Sequence, residues 1–501
     1  MESSTEKIDT TYPQSIPDFF SGRSVFITGA TGFIGKVLIE KLLYACPQID
    51  RIYVLVRPKK GQNIHERIKE LADIPLFDRL RKEQPNALDK LHCIAGDVSK
   101  LDLGMSPADR QLLEDQISVI FHTAATVRFI DPLPKAILMN VRGTREVVRL
   151  ALGMKHLKAF LHVSTTYCNT FQMRIEERLY DPPADWRAAI QMSESSDASV
   201  LEILSNKFLG CQPNTYTFTK ALGEHVINDH RDQLPAVIFR PSIVVSTVAE
   251  PMPGWGDSYN GISGLMVAGA MGLIHVPYHD DLVRMDYIPV DVVCKGMIIA
   301  SWLRGQQSSN GVPVYNCSSH EMLNVNMRML ETKGLKMLQE RPMNDTIFYP
   351  WICSTNSFPL FFVGFILFQL IPALLFDTIL TMTGRKKMLV KIQQRIFNAF
   401  VALHYFTNHE WQFINSNFRK LESAVLAKDY DAFNYQLSDV DEYYLYKMSA
   451  IGARRYLLKQ PDETLPKAIQ QYRRAAIIHY GLCSLLLIVL VWWIHSYIVK
   501  W

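Results

Sequence analysis

Tyr216 and Lys220 stand four residues apart in Tyr216-Thr-Phe-Thr-Lys220, a spacing that puts both on one face of a helix. An ammonium beside a phenol lowers the phenol pKa from about 10 toward neutrality. Tyr216 can then give a proton to an oxygen that gains charge as hydride arrives, while Lys220 can hold the hydroxyls of a ribose. The four-residue pattern is short and recurs at Tyr443 and Lys447, which reads as a surface pair on a helix. Context separates the two. Upstream of Tyr216, His162-Val-Ser164-Thr165-Thr-Tyr167 ends an apolar run with hydroxyls, where a donor can polarise a substrate carbonyl.

A second constellation lies near the N-terminus. Val25-Phe-Ile-Thr-Gly29-Ala-Thr-Gly32-Phe-Ile-Gly35 is a strand, a glycine-rich turn and the start of a helix. Gly29 permits the tight turn, Gly32 lets the backbone approach a pyrophosphate, and Gly35 allows close helix packing. Phosphates then sit at a helix N-terminus, where free N–H groups and the helix dipole favour anions. The next apolar run, Ile52–Val56, ends in Arg57-Pro-Lys59-Lys60. An acid there would bond the ribose 2′-hydroxyl of NAD, whereas Arg57 suits a 2′-phosphate, hence NADPH. Asp97, followed by Val98, can take an adenine amino group. Ala124 and Ala125 are small enough for the backbone to run against a cofactor.

The elements that must position these groups are legible as apolar runs. Ser24–Thr28, Ile52–Val56, Leu91–Ala95, Val119–Thr123, Phe160–Val163 and Ala236–Phe239 alternate with longer helical stretches. Continuous apolar strands joined by helical crossovers predict an α/β fold, a doubly wound Rossmann-type parallel sheet. Composition agrees with a folded globular chain, 48% apolar and 20% charged. The net charge of +4, without a dense basic run, gives no support for a nucleic-acid partner. The eight cysteines are scattered, with no C-x-x-C pair and no histidine at zinc spacing; they are expected as buried, reduced thiols, and no metal is expected. Met1–Asp18 is polar and lacks the apolar core of a secretory signal.

Together these motifs resemble the extended short-chain dehydrogenase/reductase class, in whose triad Thr165 is the hydroxyl, with Ser164 the lesser candidate. Thr28-Gly-Ala-Thr-Gly-Phe-Ile-Gly35, His162-Val-Ser-Thr-Thr-Tyr-Cys-Asn169, Phe239-Arg-Pro-Ser242, Asn408-His-Glu-Trp411 and Gly452-Ala-Arg-Arg-Tyr456-Leu-Leu458 more specifically resemble fatty acyl-CoA reductases, from Phe20 to Leu458. The resemblance implies catalytic Thr165, Tyr216 and Lys220. Its implied cofactor contacts are Gly29, Thr31, Gly32, Phe33, Ile34, Gly35, Arg57, Asp97, Val98, Ala124, Ala125, Tyr216, Lys220 and Pro241. It further implies that a long-chain acyl-CoA takes hydride twice from NADPH, through an aldehyde, to a primary alcohol. An insertion between Thr170 and Thr215 helps form the acyl site in that family. A sterol or sugar-nucleotide dehydrogenase would share the turn and the Tyr/Lys pair but not the C-terminal helical region. A non-catalytic scaffold is at odds with intact Thr165, Tyr216 and Lys220.

The expected organisation is a polar tail (1–19), a catalytic domain (20–300), a connecting segment (301–346), an apolar segment (347–384), a C-terminal helical domain (385–460) and a transmembrane helix (475–499). Ala475–Val499 holds no Asp, Glu, Lys or Arg. Its 25 residues at 1.5 Å each reach about 37 Å, enough to cross roughly 30 Å of hydrocarbon. Arg473 and Arg474 precede it, and Trp492, Trp493, Tyr497 and Trp501 are interfacial aromatics. The bilayer is thus an expected partner, with the catalytic domain cytosolic on endoplasmic reticulum or peroxisome. Phe358–Phe376, interrupted by Pro359 and Pro372, is expected as an interfacial or re-entrant segment or a core helix, with membrane contact favoured because an acyl chain must enter from somewhere apolar. The sequence does not set acyl preference or oligomeric state.

Overall fold

The computed structural model describes residues 14–58, 63–259, 261–307, 311–320, 322–435, 437 and 441–498. Lys59, Lys60, Val499 and Trp501, invoked above, and the tail before residue 14 lie outside them. The chain forms two compact units, each discontinuous in sequence. The first is Met1–Met252, Asp286–Leu323 and Trp411–Asp439; the second is Pro253–Met285, Asn324–Glu410 and Val440–Trp501.

The first unit is built on seven parallel strands: β1 (Ser24–Thr28), β2 (Ile52–Val56), β3 (Leu91–Ala95), β4 (Ile117–His122), β5 (Ala159–Val163), β6 (Ala236–Pro241) and β7 (Val314–Cys317). Their order across the sheet is β7-β6-β5-β4-β1-β2-β3, every pairing parallel. All residues of β1, β2, β4, β5 and β6 are buried, as a sheet covered on both faces requires. Helices Phe33–Ala45, Pro107–Gln116, Gly143–Leu152, Thr215–Asn228 and Val290–Gln306 lie between successive strands. Local signals start them: Ser106 accepts from Asp109 N and Asn214 from Thr217 N, each filling one orphan donor of its helix.

β7 lies in the expected connecting segment, and part of the expected C-terminal helical domain returns to this unit. Gln412–Phe413 pairs in parallel with Arg174–Ile175. Trp411 Nε1 donates to the Thr170 carbonyl at 3.1 Å. Phe418 meets the Phe239 ring edge-on at 6.0 Å and sits where a Cβ on Gly296 would be, 2.7 Å away.

In the second unit, Phe358–Phe365, a π turn Ile366–Leu370 and Ile371–Met382 run on as one helical rod. The wider turn lies just ahead of Pro372, which has no N–H to give back. Phe361, Phe365 and Ala373 pack with Leu389, Ile396, Phe400 and Tyr278. Leu465–Ile498 is one long helix with only Ala468 buried. Rods Phe358–Met382 and Asp462–Ile498 are long and apolar enough to cross a membrane. The cysteines form no disulfide, but Cys211, Cys353 and Cys483 are exposed rather than buried, while Cys46, Cys168, Cys294 and Cys317 are buried.

Candidate active site

The strand order turns between β1 and β4, so their C-terminal ends flank a crevice, the usual ligand position in open α/β sheets. The glycine turn emerges there. Gly29 has φ +77°, and a Cβ on it would lie 2.5 Å from Thr123 Oγ1 and 2.7 Å from Ala124 N. A Cβ on Gly35 would lie 2.4 Å from the Gly29 carbonyl oxygen. Gly32 caps helix Phe33–Ala45 in extended backbone with no side-chain cap bond. Thr31 and Gly32 are exposed and Phe33 and Ile34 half-buried, leaving the helix N-terminus open to an anion. This cradle fits a pyrophosphate.

Around it, Ala124 N donates to Thr28 Oγ1 at 3.3 Å, and Thr126 N to Asn140 Oδ1 at 2.9 Å. Asn140 Nδ2 reaches Thr219 Oγ1 at 2.9 Å, linking the loop of Ala124 and Ala125 to helix Thr215–Asn228. Val98 is buried. Asp97 Oδ1 accepts from Ser99 N and Oγ at 2.9 and 2.8 Å. Arg57 is exposed at the end of β2, and Pro241 closes β6.

Tyr216 and Lys220 lie on helix Thr215–Asn228. The Thr165 hydroxyl stands beside the Tyr216 phenol and favours its ionised form, and the Tyr216 ring stacks on Phe129 with centroids 5.8 Å apart. Ser164 turns the other way, its Oγ donating to Cys168 Sγ at 3.8 Å. Lys220 Nζ donates to the Val163 carbonyl at 2.6 Å. Burial pushes the Lys220 ammonium down to about 8. The expected lowering of the Tyr216 phenol by Lys220 is not found: burial pushes the phenol up, and only the neighbouring Thr165 hydroxyl draws it down. Desolvation outweighs a cation whose nearest partner is a backbone carbonyl.

Sequence reading missed a layer beneath. Glu224, one turn after Lys220, takes the Arg240 guanidinium on both oxygens at 2.7 Å. Arg240 also donates to the Glu176 and Arg178 carbonyls at 3.3 and 3.0 Å. Despite burial, Arg240 holds the Glu224 carboxyl below its ordinary value. His122 bridges Thr28 Oγ1 at 2.7 Å and Thr144 Oγ1 at 3.1 Å, and burial pushes it down to about 3. His162 lies 5.3 Å from it, ring to ring, and burial keeps it neutral too. Histidines ending otherwise apolar runs were the visible signal. The second Tyr/Lys pattern lies elsewhere, on helix Glu442–Gly452, where Tyr443 donates to Glu340 at 3.1 Å.

A doubly wound sheet with a glycine cradle at its turning point and a Tyr/Lys helix beside it defines an oxidoreductase with a nicotinamide dinucleotide. Residues 27–297 match an NAD-binding family model described as Male sterility protein, and residues 368–460 match a second model of that description. Fatty acyl-CoA reductase 1 of Xenopus laevis is 37% identical over 478 residues, 95% of this chain and 93% of that protein. That of Homo sapiens is 35% identical with the same coverage. The chain belongs to the fatty acyl-CoA reductase family. The terminal R domain from the myxalamid PKS-NRPS biosynthetic pathway shares the fold at a TM-score of 0.60, with 18% identity, covering 91% of this chain and 97% of that one. The reductase (R) domain of a nonribosomal peptide synthetase from Mycobacterium tuberculosis gives 0.57, with 20% identity and coverages of 88% and 94%.

Proposed function

We propose that the protein reduces long-chain fatty acyl-CoA to the primary alcohol, using two NADPH and releasing CoA. The observation that carries this reading is Tyr216 with Lys220 one turn along the same helix, the Thr165 hydroxyl standing beside the phenol. NADPH, when bound, supplies hydride. The glycine cradle would hold its pyrophosphate and Arg57 its 2′-phosphate, with Asp97, Val98, Ala124, Ala125 and Pro241 along its length. Tyr216, kept protonated by burial, gives its proton to the carbonyl oxygen as charge develops there, and Thr165 orients the phenol. Lys220 holds ribose hydroxyls. The hemithioacetal expels the CoA thiol to leave an aldehyde, and a second round with the same acid yields the alcohol. Helix Ala198–Leu209 in the 170–215 insertion exposes Val200, Ile203, Leu204 and Phe208, an apolar stripe at helical spacing that supports a long acyl chain. The test is NADPH oxidation with palmitoyl-CoA and identification of the product. Two NADPH per hexadecanol is expected; an aldehyde end product, or no turnover, overturns the reading.

The C-terminal helix would span a membrane from Ala475, with Arg473 and Arg474 on the catalytic, cytosolic side of endoplasmic reticulum or peroxisome. Resistance of the full chain to carbonate extraction is expected; release by carbonate overturns this part alone.

A further inference from the structure

The helix Phe358–Met382 has the length of a membrane span, yet its buried positions form a single stripe. Phe361, Phe365, Gln369, Ala373 and Asp377, each four residues apart, are at most 6% exposed. Two of the five are polar and both are engaged. Gln369 Oε1 accepts from His275 N at 2.9 Å and Val276 N at 3.0 Å. Asp377 accepts from the Met388, Leu389 and Val390 amides, each at 3.0 Å, and so starts helix Leu389–Thr407. That helix lies along the first: Phe397 stacks on Phe361 at 5.5 Å and meets Phe365 at 5.0 Å. It also exposes Lys391 and Arg395. Carrying Phe358–Met382 across hydrocarbon would carry these charges with it, or strip Gln369 and Asp377 of their partners.

The opposite face is apolar and open. Leu360, Leu367, Leu374, Leu375, Ile379 and Met382 are 48–82% exposed, too large a patch for a surface meant for water. Charge around it is one-sided. Between Asp345 and Glu410 the only acid is Asp377, consumed as a buried cap. Arg385, Lys386, Lys387, Lys391 and Arg395 in the same stretch are all exposed. Trp351 fixes the level of this face, its ring 5.3 Å from Phe368 and 6.2 Å from His479. His479 stands just inside the apolar run that begins at Ala475, where a spanning helix enters the bilayer.

We propose that Phe358–Met382 lies in the plane of the membrane as a non-spanning interfacial helix, its open face in the acyl boundary of an anionic leaflet and Arg385–Lys387 among the headgroups. The level set by Trp351 rests on the spanning reading of the C-terminal helix; the stripe and the charge asymmetry do not.

The test uses the full chain in nanodiscs of phosphatidylcholine with or without phosphatidylserine. Cys211, Cys353 and Cys483 are changed to serine, and a fluorophore is attached at Leu360→Cys, Leu367→Cys or Leu374→Cys. Lipids spin-labelled near the headgroup should quench all three sites, and more strongly than lipids labelled at the chain end. Strongest deep quenching at Leu367 with shallow quenching at Leu360 would mean a span and overturns the proposal. No quenching at any site, or cross-linking of these sites between copies, means that water or a second chain covers the face, and overturns it equally. Reversing Arg385, Lys386 and Lys387 to glutamate should weaken quenching only with phosphatidylserine, each cation counting roughly fivefold in partitioning; equal loss in both lipids removes the anionic-leaflet clause. A label at Leu487→Cys, inside the C-terminal helix, reports failure of the spanning reading separately.

Discussion

Glu224 and Arg240 close on one another through two bonds of 2.7 Å, at 2% and 0% exposure, with Glu224 one turn further along the helix face that carries Tyr216 and Lys220. Removing one partner leaves a buried charge unmatched, which typically costs about 3–5 kcal/mol. Arg240→Met is expected to lower unfolding stability by that order in denaturant titration. Glu224→Leu combined with Arg240→Met should recover much of the loss. Additive losses in the double variant would mean that the two side chains act independently.

Tyr216→Phe removes only the phenolic hydroxyl and its proton. Turnover should fall by roughly 10²–10⁴-fold, while NADPH binding, followed by fluorescence titration, stays nearly intact. Near-wild-type turnover would take Tyr216 out of the chemistry.

Lys220 gives a pH signature. Its ammonium is charged below about 8 and neutral above, so kcat/KM for NADPH should fall as pH rises through about 8. Lys220→Arg, charged throughout, should lack that limb. Stability moves the opposite way: burial lowers the folded pKa beneath the ordinary 10.5 of lysine, so the native state binds fewer protons and gains stability as pH rises between these values. A pH profile unchanged by Lys220→Arg assigns the limb elsewhere.

Arg57→Glu sets a carboxylate against a 2′-phosphate. The ratio of NADPH to NADH efficiency should narrow, read from kcat/KM with each cofactor. An unchanged ratio makes Arg57 a solvated turn residue.

What the sequence disclosed was chemistry carried by neighbours. The glycine turn and the Tyr216/Lys220 spacing are local, and the six apolar runs anticipated β1–β6 within a residue or two. Thr165 ranked above Ser164 by resemblance alone; adjacent residues at a strand end point to opposite sides, and which of them faces Tyr216 is a fact only the backbone resolves. Glu224 in a helix reads as a solvated charge until Arg240, sixteen residues on, is brought against it. β7 was hidden because Val-Tyr-Asn-Cys is short and half polar. The pairing of Gln412–Phe413 with Arg174–Ile175 spans more than two hundred residues and leaves no periodic trace.

That last pairing bears on how the protein is made. The catalytic unit takes Trp411, Gln412–Phe413 and Phe418 from a stretch synthesised long after Tyr216 and Lys220. A nascent chain released or cut before Trp411 would lack the partner of Arg174–Ile175, the donor to Thr170, and the ring that fills the space above Gly296. Domains tend to fold in order of synthesis, but this one stays unfinished until most of the chain has left the ribosome. Its early strands must wait with apolar surface uncovered, a window in which chaperones find their substrate.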